Sequence, residues 1–300
     1  MWIVNNRKAF YGISILLVAV SVAALAAWGV KPGIDFTGGT LVEVSYPGQR
    51  PDQSAVAAGL SAIDPAVSIR PSGSDGYFVR MKAVDQAGKA AVMSALSENG
   101  AASTTVKSFD SIGPVLGAEA LRKAYVSILL VILGIVFYIT LAFRKVSEPV
   151  SSWKYGMVAV IALAHDVIIP LGAFSILGHY LGYEVDTLFV TALLVILGFS
   201  VHNTIVVFDR VRENLRTSGG KEAFASVVGK SVSQTFTRSM NTSATVLIAL
   251  IVLFILGSST TAHFTLALII GIVAGTYSSV FIGSPLLVTI ESRQSKAKRR

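Results

Sequence analysis

The sequence contains no cysteine. Disulfides, thiolate metal sites and a cysteine nucleophile are therefore excluded. Charge is scarce as well: 14% of residues are Asp, Glu, Lys or Arg, against about 25% in a typical soluble domain. The histidines, His165, His179, His202 and His263, show no zinc-ligand spacing, so neither a metal nor a cofactor is expected. No nucleophile–base pair stands out, which argues against an enzyme. What the chain has in abundance is apolar residues, 53% of 300. That composition indicates a membrane protein.

A membrane-spanning helix needs about 20 mostly apolar residues. Six segments qualify: Ala9–Val30, Ala124–Phe143, Gly156–Leu177, Thr187–Phe208, Gln234–Leu256 and Phe264–Ile290. The first is too long for the apolar region of a signal peptide, despite the preceding Arg7 and Lys8. Basic residues mark the cytoplasmic side. They occur in the N-terminal tail (Arg7, Lys8), after the second span (Arg144, Lys145, Lys154), after the fourth (Arg210, Arg212, Arg216, Lys221, Lys230) and in the tail (Arg293, Lys296, Lys298, Arg299, Arg300). The connections His179–Asp186 and Gly257–His263 carry neither Lys nor Arg. Both termini are thus expected in the cytoplasm. The net charge of +8 reads as a topology signal and an attraction to anionic lipid rather than a nucleic-acid footprint.

The expected domains are residues 1–30 as tail and first span, 31–123 as an external domain, 124–290 as a five-helix bundle and 291–300 as a basic tail. Within the external segment, Thr40–Ser45 alternates as a strand, and Pro51–Ile63 suits a helix. Val67–Arg70 and Tyr77–Met81 flank a hairpin signal. Asp85–Asn99 reads as a helix capped by Asp85 and stopped at Asn99-Gly100, and Ser103–Phe109 as a last strand. The order βαββαβ is ferredoxin-like. Its carboxylates fall mostly at turn and cap positions, with solvated surface the default for each. Gly33, Asp35, Gly38 and Gly39, in GIDFTGGT, read as a joint between first span and first strand. In it Lys31-Pro32-Gly33 stops the helix, Asp35 bonds nearby amides, and Gly38-Gly39 allows unusual backbone angles. GKS at 229–231 lacks the earlier glycine and the preceding strand of a phosphate loop.

Polar groups inside a membrane usually mark a pathway or a pair. His165-Asp166 lies mid-span, with Pro170 four residues on. The pair reads equally well as a proton site or as a packed His and Asp hydrogen-bonded to a neighbouring helix. Ser200, Asn203 and Thr204 share one helix face, with His202 pointing elsewhere. Arg238, Asn241, Thr242 and Thr245 share another, expected to turn into the bundle, the alternative for Arg238, about one turn into the span, being to snorkel to the cytoplasm. Gly271, Gly275, Ser279 and Gly283 form a small-residue ridge suited to close helix packing. The connection after the fourth span reads as a separate amphipathic helix, Lys221–Val232.

The motifs GIDFTGG at 33–39, SIGP at 111–114, AHDV at 164–167, GFSVHNTIVVFDRVREN at 198–214 and QTFTRSMNTS at 234–243 resemble the SecD/SecF family of the bacterial protein-export system. The resemblance spans nearly the whole chain. It implies half of an RND-type exporter: a polytopic α-helical membrane protein with six transmembrane helices and a ferredoxin-like α+β external domain after the first. It also implies SecD as partner half, the SecYEG channel with YajC and YidC as further partners, an exported preprotein as cargo, the bacterial inner membrane as location, and late, ATP-independent export driven by the proton gradient. Members of the family usually carry an acid where this chain has Asn203, while the fifth-span arginine is retained as Arg238. Three sources of the proton site follow: an acid on SecD, His202, or Asp166, the first being favoured. The alternative reading is a half-subunit of a small-molecule or lipid exporter of the RND class.

Overall fold

The structure, a computed structural model, describes residues 2–97, 103–142, 152–219 and 221–298. In chain order the elements are α1 (Trp2–Asn5), α2 (Arg7–Trp28), α3 (Ile34–Thr37), β1 (Gly39–Ser45), α4 (Gln53–Leu60), β2 (Ser68–Ser72), β3 (Gly76–Met81), α5 (Gln86–Leu96), β4 (Thr105–Ile112), α6 (Pro114–Ala142), α7 (Ser152–Leu181), α8 (Thr187–Ser218), α9 (Phe224–Leu256), α10 (Ser259–Ser278), a π-helical turn at Ser279–Gly283, and α11 (Ser284–Lys298). They form two compact units, Pro32–Tyr125 and the remainder of the chain. The expected Asn99-Gly100 helix stop, the basic residues Arg144 and Lys145, and the terminal Arg299 and Arg300 lie outside the described residues.

Six helices are long and apolar enough to cross a membrane, as the sequence predicts, but most run further than their apolar cores. α6 starts at Pro114, ten residues before the expected Ala124. Proline suits a first helical position because its missing N–H would be unpaired there anyway, and Lys123 pairs with Glu119 at 2.8 Å one turn apart. The helix therefore carries its polar residues before entering the apolar stretch. The separate amphipathic helix expected at Lys221–Val232 is instead the first part of α9, which runs unbroken from Phe224. α2 ends at Gly29 rather than at Lys31-Pro32-Gly33. Gly29 takes φ 64° and returns its N–H to Leu25 O at 2.9 Å, a helix ending that only glycine adopts without strain.

The membrane helices invert the soluble pattern. The buried residues of α2 are Ser14, Ser21 and Ala24, while Ile13, Ile15 and Leu16 point outward. Lipid is as apolar as leucine, so small residues rather than large ones define the contacts. A Cβ at Gly172 of α7 would fall 2.4 Å from Ser21 Cα, and Ser175 donates to Ala24 O at 2.9 Å. The ridge of the last span packs as expected. A Cβ at Gly271 would meet Ile196 of α8 at 2.2 Å, one at Gly275 would meet Ser200, and Gly283 faces Phe208. Ser279 is fully buried. Pro285 follows the π-helical turn and has no N–H to give the carbonyl one turn back; a wider turn is a usual way to absorb that loss. Pro170, by contrast, sits within α7 without interrupting it.

The α/β unit is a four-stranded antiparallel sheet of order β2-β3-β1-β4, the ferredoxin-like arrangement expected. Val42, Val44, Tyr77 and Val79 meet Val56, Leu60, Val92 and Leu96 of α4 and α5 in its core. Asp85 caps α5 through the Gly88 amide at 2.8 Å. Asp64 accepts from the amides of Ala66 and Lys82 at 2.9 and 2.7 Å, and these bonds hold its carboxyl below the usual range. Glu43 departs from the solvated reading: it is 3% exposed and accepts from Ser72 Oγ at 2.9 Å.

Candidate functional site

The polar residues of the membrane helices divide into a buried cluster and an exposed stripe. The cluster centres on Asp166, which is fully buried in α7. Its Oδ1 meets His165 Nδ1 at 2.8 Å. Its Oδ2 accepts from Ser200 of α8 and, at 2.7 Å, from Ser278 of α10. A carboxylate in hydrocarbon is costly unless its lone pairs are used, and here three helices converge to use them. Gly275 makes room: its Cβ would come within 3.5 Å of Asp166 Oδ2. Ser278 and Gly275 are three residues apart on one face of α10. That spacing offered a hint of Ser278 in the sequence, but a lone serine among Gly, Thr and Ser residues carries no distinctive signal.

Ser200, Asn203 and Thr204 all turn inward, as predicted, and His202 is exposed on the opposite side. Asn203 is 2% exposed, and its Nδ2 has no hydrogen-bond partner.

The fifth-span stripe does not turn inward. Arg238, Asn241, Thr242 and Thr245 are all exposed on the outer face of α9. The inward face is taken by Ser231, Thr235, Ser239 and Ser243, and Ser243 accepts from Thr276 of α10 at 2.7 Å. Close helix contact favours the smaller side chains, so the hydroxyl ridge packs and the bulky Arg and Asn residues are left outside. Thr242 and Thr245 bond back to their own helix, at Arg238 O and Asn241 O. Arg238 is therefore not brought to Asp166 or Asn203 within this chain.

The α/β unit holds the glycine joint together. Gly33 O accepts from Phe36 N, Thr37 N and Thr37 Oγ1, closing the one-turn α3 with Asp35 in its first turn. Gly38 and Gly39 have φ 72° and 128°. A Cβ at Gly38 would lie 2.8 Å from Pro114 Cα, and one at Gly117 would lie 2.8 Å from Gly38 N. Thr40 Oγ1 and Ser111 Oγ are 2.8 Å apart. GIDFTGG and SIGP, far apart in sequence, therefore form one structural unit at the start of α6.

Comparison with known proteins agrees with this architecture. The profile of the family described as protein export membrane protein SecD/SecF, C-terminal, matches residues 91–293. That of the SecD/SecF GG motif matches residues 24–46. A protein translocase subunit SecF from Thermobaculum terrenum is 42% identical, the match covering 97% of this chain and 94% of that protein. One from Anaerolinea thermophila is 36% identical over the same shares. The crystal structure of SecDF, a translocon-associated membrane protein from Thermus thermophilus, superposes with a TM-score of 0.82 at 29% identity, covering 96% of this chain and 38% of that chain.

Proposed function

The chain belongs to the SecD/SecF family of protein-export membrane proteins, and from that premise we propose that it works as one half of a proton-driven accessory complex of the Sec translocon. It is a multi-pass protein of the bacterial inner membrane and a SecF-like subunit. SecD supplies the other half, as the much longer SecDF chain containing a counterpart of this one suggests. Both termini face the cytoplasm and the α/β unit lies outside, following the distribution of Lys and Arg. The complex engages the SecYEG channel, with YajC and YidC as further neighbours, and draws a preprotein outward late in export, without ATP.

The observation that carries this reading is the exposed stripe on α9. An arginine and an asparagine on the lipid-facing side of a spanning helix are expensive in a lone chain. Set against a partner helix bearing a carboxylate, they are paired. Asn203 cannot titrate, so the acid of the stripe comes from SecD. Asp166 is the buried acid among the described membrane helices of this chain.

The absence of cysteine makes the partner contact easy to test. In a Thr242→Cys variant co-expressed with SecD, the new thiol is unique in this chain. Cross-links to a membrane helix of SecD are expected in the co-purified complex. If the variant co-purifies with SecD and cross-links from Thr242 to lipid analogues alone, the stripe does not face the partner.

A further inference from the structure

Deepening the proton-driven reading and resting on it, we propose that His165 is the relay through which Asp166 exchanges its proton. The route leads along the seam between α2 and α10, past Tyr277 and Ser14. His165 is a two-ended group. Nδ1 is engaged on Asp166 Oδ1 at 2.8 Å. Nε2, at the other end of the ring, has no hydrogen-bond partner although the residue is only 6% exposed. A purely structural histidine in a membrane interior would normally satisfy both nitrogens, because an unpaired polar atom there is costly.

The surroundings of the ring lead in one direction. The His165 ring stacks on Tyr277, centroids 6.3 Å apart and planes at 20°. The Tyr277 hydroxyl donates to Phe10 O of α2 at 2.9 Å. One turn along α2 lies the buried Ser14, its side chain next to the Tyr277 hydroxyl. The unpaired Nε2 thus belongs to a ring stacked on a tyrosine whose hydroxyl is anchored to α2. On the opposite side Asp166 Oδ2 is saturated by Ser200 and Ser278, leaving no vacant acceptor there.

α7 packs against α2, α8, α10, the π-helical turn and α11. Among the described residues, the groups from those elements that meet the pair are Ser200, Ser278 and the titratable Tyr277. Among the described residues no Lys, Arg or further carboxylate forms an ion pair or hydrogen bond with His165 or Asp166. The pair is therefore its own charge partner, and the transfer balances simply. A proton added at Nε2 gives an imidazolium beside the carboxylate. The Nδ1 proton then passes to Oδ1, leaving a neutral ring and a neutral acid, with one proton taken up.

The test uses the full complex with SecD in detergent. Infrared difference spectra after a pH jump follow the protonated carboxyl, assigned by its loss in Asp166→Asn. His165→Gln keeps a donor toward Asp166 but cannot relay, and is expected to slow carboxyl protonation by about a hundredfold, a size typical of positioned proton-transfer groups. Tyr277→Phe slows it less, and Ser243→Ala, on the α9 side, leaves it unchanged. An unchanged rate in His165→Gln overturns the proposal, as does the lack of any titrating carboxyl band that Asp166→Asn removes. Should the variants not fold, the unmodified complex labelled with ¹⁵N-histidine and ¹³C-aspartate gives the answer. The histidine coupled to an aspartate carboxyl is expected as the Nδ1–H tautomer, with Nε2 protonating as pH falls; an Nε2–H tautomer that never titrates contradicts the relay. Export is scored separately: gradient-independent export by the unmodified chain defeats the parent reading while leaving these spectra interpretable.

Discussion

Ser278 of α10 donates its hydroxyl proton to Asp166 Oδ2 of α7 at 2.7 Å. The bond ties the third and sixth spans at the one carboxylate buried among the described membrane helices, immediately before the helix widens into its π-helical turn. Ser278→Ala should lower the stability of the complex by about 0.6 kcal/mol, and at most about 1.7 kcal/mol, the range measured for hydrogen bonds between membrane helices. Thermal unfolding of the purified complex checks the loss.

Gly38 should not tolerate a side chain. Its φ of 72° disfavours any Cβ, and that Cβ would lie 2.8 Å from Pro114 Cα, a backbone atom with little freedom to retreat. Gly38→Val is expected to abolish export and lower the thermal stability of the α/β unit, by more than the 1–3 kcal/mol or so of backbone strain alone. Asp35→Asn should keep export. Calorimetry together with an export assay separates the two outcomes.

Gly271 tests the helix ridge through a double mutant. A Cβ there would lie 2.2 Å from Ile196 Cδ1 and 2.4 Å from Cγ1, both side-chain atoms. Gly271→Ala alone should destabilise by about 1–3 kcal/mol, as overpacking does. Adding Ile196→Ala should recover part of that loss. At Gly172 the obstacle includes Ser21 Cα at 2.4 Å, so Gly172→Ala should find no such rescue. Thermal unfolding of the purified complexes checks both.

The α/β unit should weaken in acid for a local reason. The Lys82 and Ala66 amides hold the Asp64 carboxyl below its ordinary range. A lowered folded value means the stabilisation is complete above the unfolded carboxylate range, about pH 4, and is lost as pH falls through the folded value. Protection of the Lys82 amide, corrected for intrinsic exchange, should therefore fall at low pH. In Asp64→Ala it should be low throughout and insensitive to pH across that window.

The outward position of Arg238 separates two roles. Arg238→Ala should lose SecD-dependent export while the chain still folds, since the residue is exposed and has no inward contact to lose. Asn203→Asp should be tolerated; lost export there would assign Asn203 a specific role that an acid cannot fill. Complementation of a strain lacking the chain reads both.

The architecture was legible because its signals are periodic. Six apolar stretches and the βαββαβ alternation each survive local irregularity, and the face carrying Ser200, Asn203 and Thr204 was read correctly. The direction of the fifth span was not legible. Arg238, Asn241, Thr242 and Thr245 define a face, but so do Ser231, Thr235, Ser239 and Ser243, spaced by four. Periodicity shows that two polar faces exist; the volume of the side chains decides which one packs. The early start of α6 was hidden by Glu119, Arg122 and Lys123, which read as loop but sit on exposed helix. The meeting of Gly38 with Pro114 is a long-range contact of a kind local patterns do not encode.

The central claim is that this chain acts with SecD to turn a proton gradient into late export. It is tested most directly in vesicles holding the Sec channel, SecD and this chain, with a preprotein arrested part-way and ATP removed. Completion of export should rise when a proton gradient is imposed, vanish with an uncoupler, and fail in the Arg238→Ala and Asp166→Asn variants. Equal completion with the gradient collapsed, or in vesicles lacking this chain, would contradict the account.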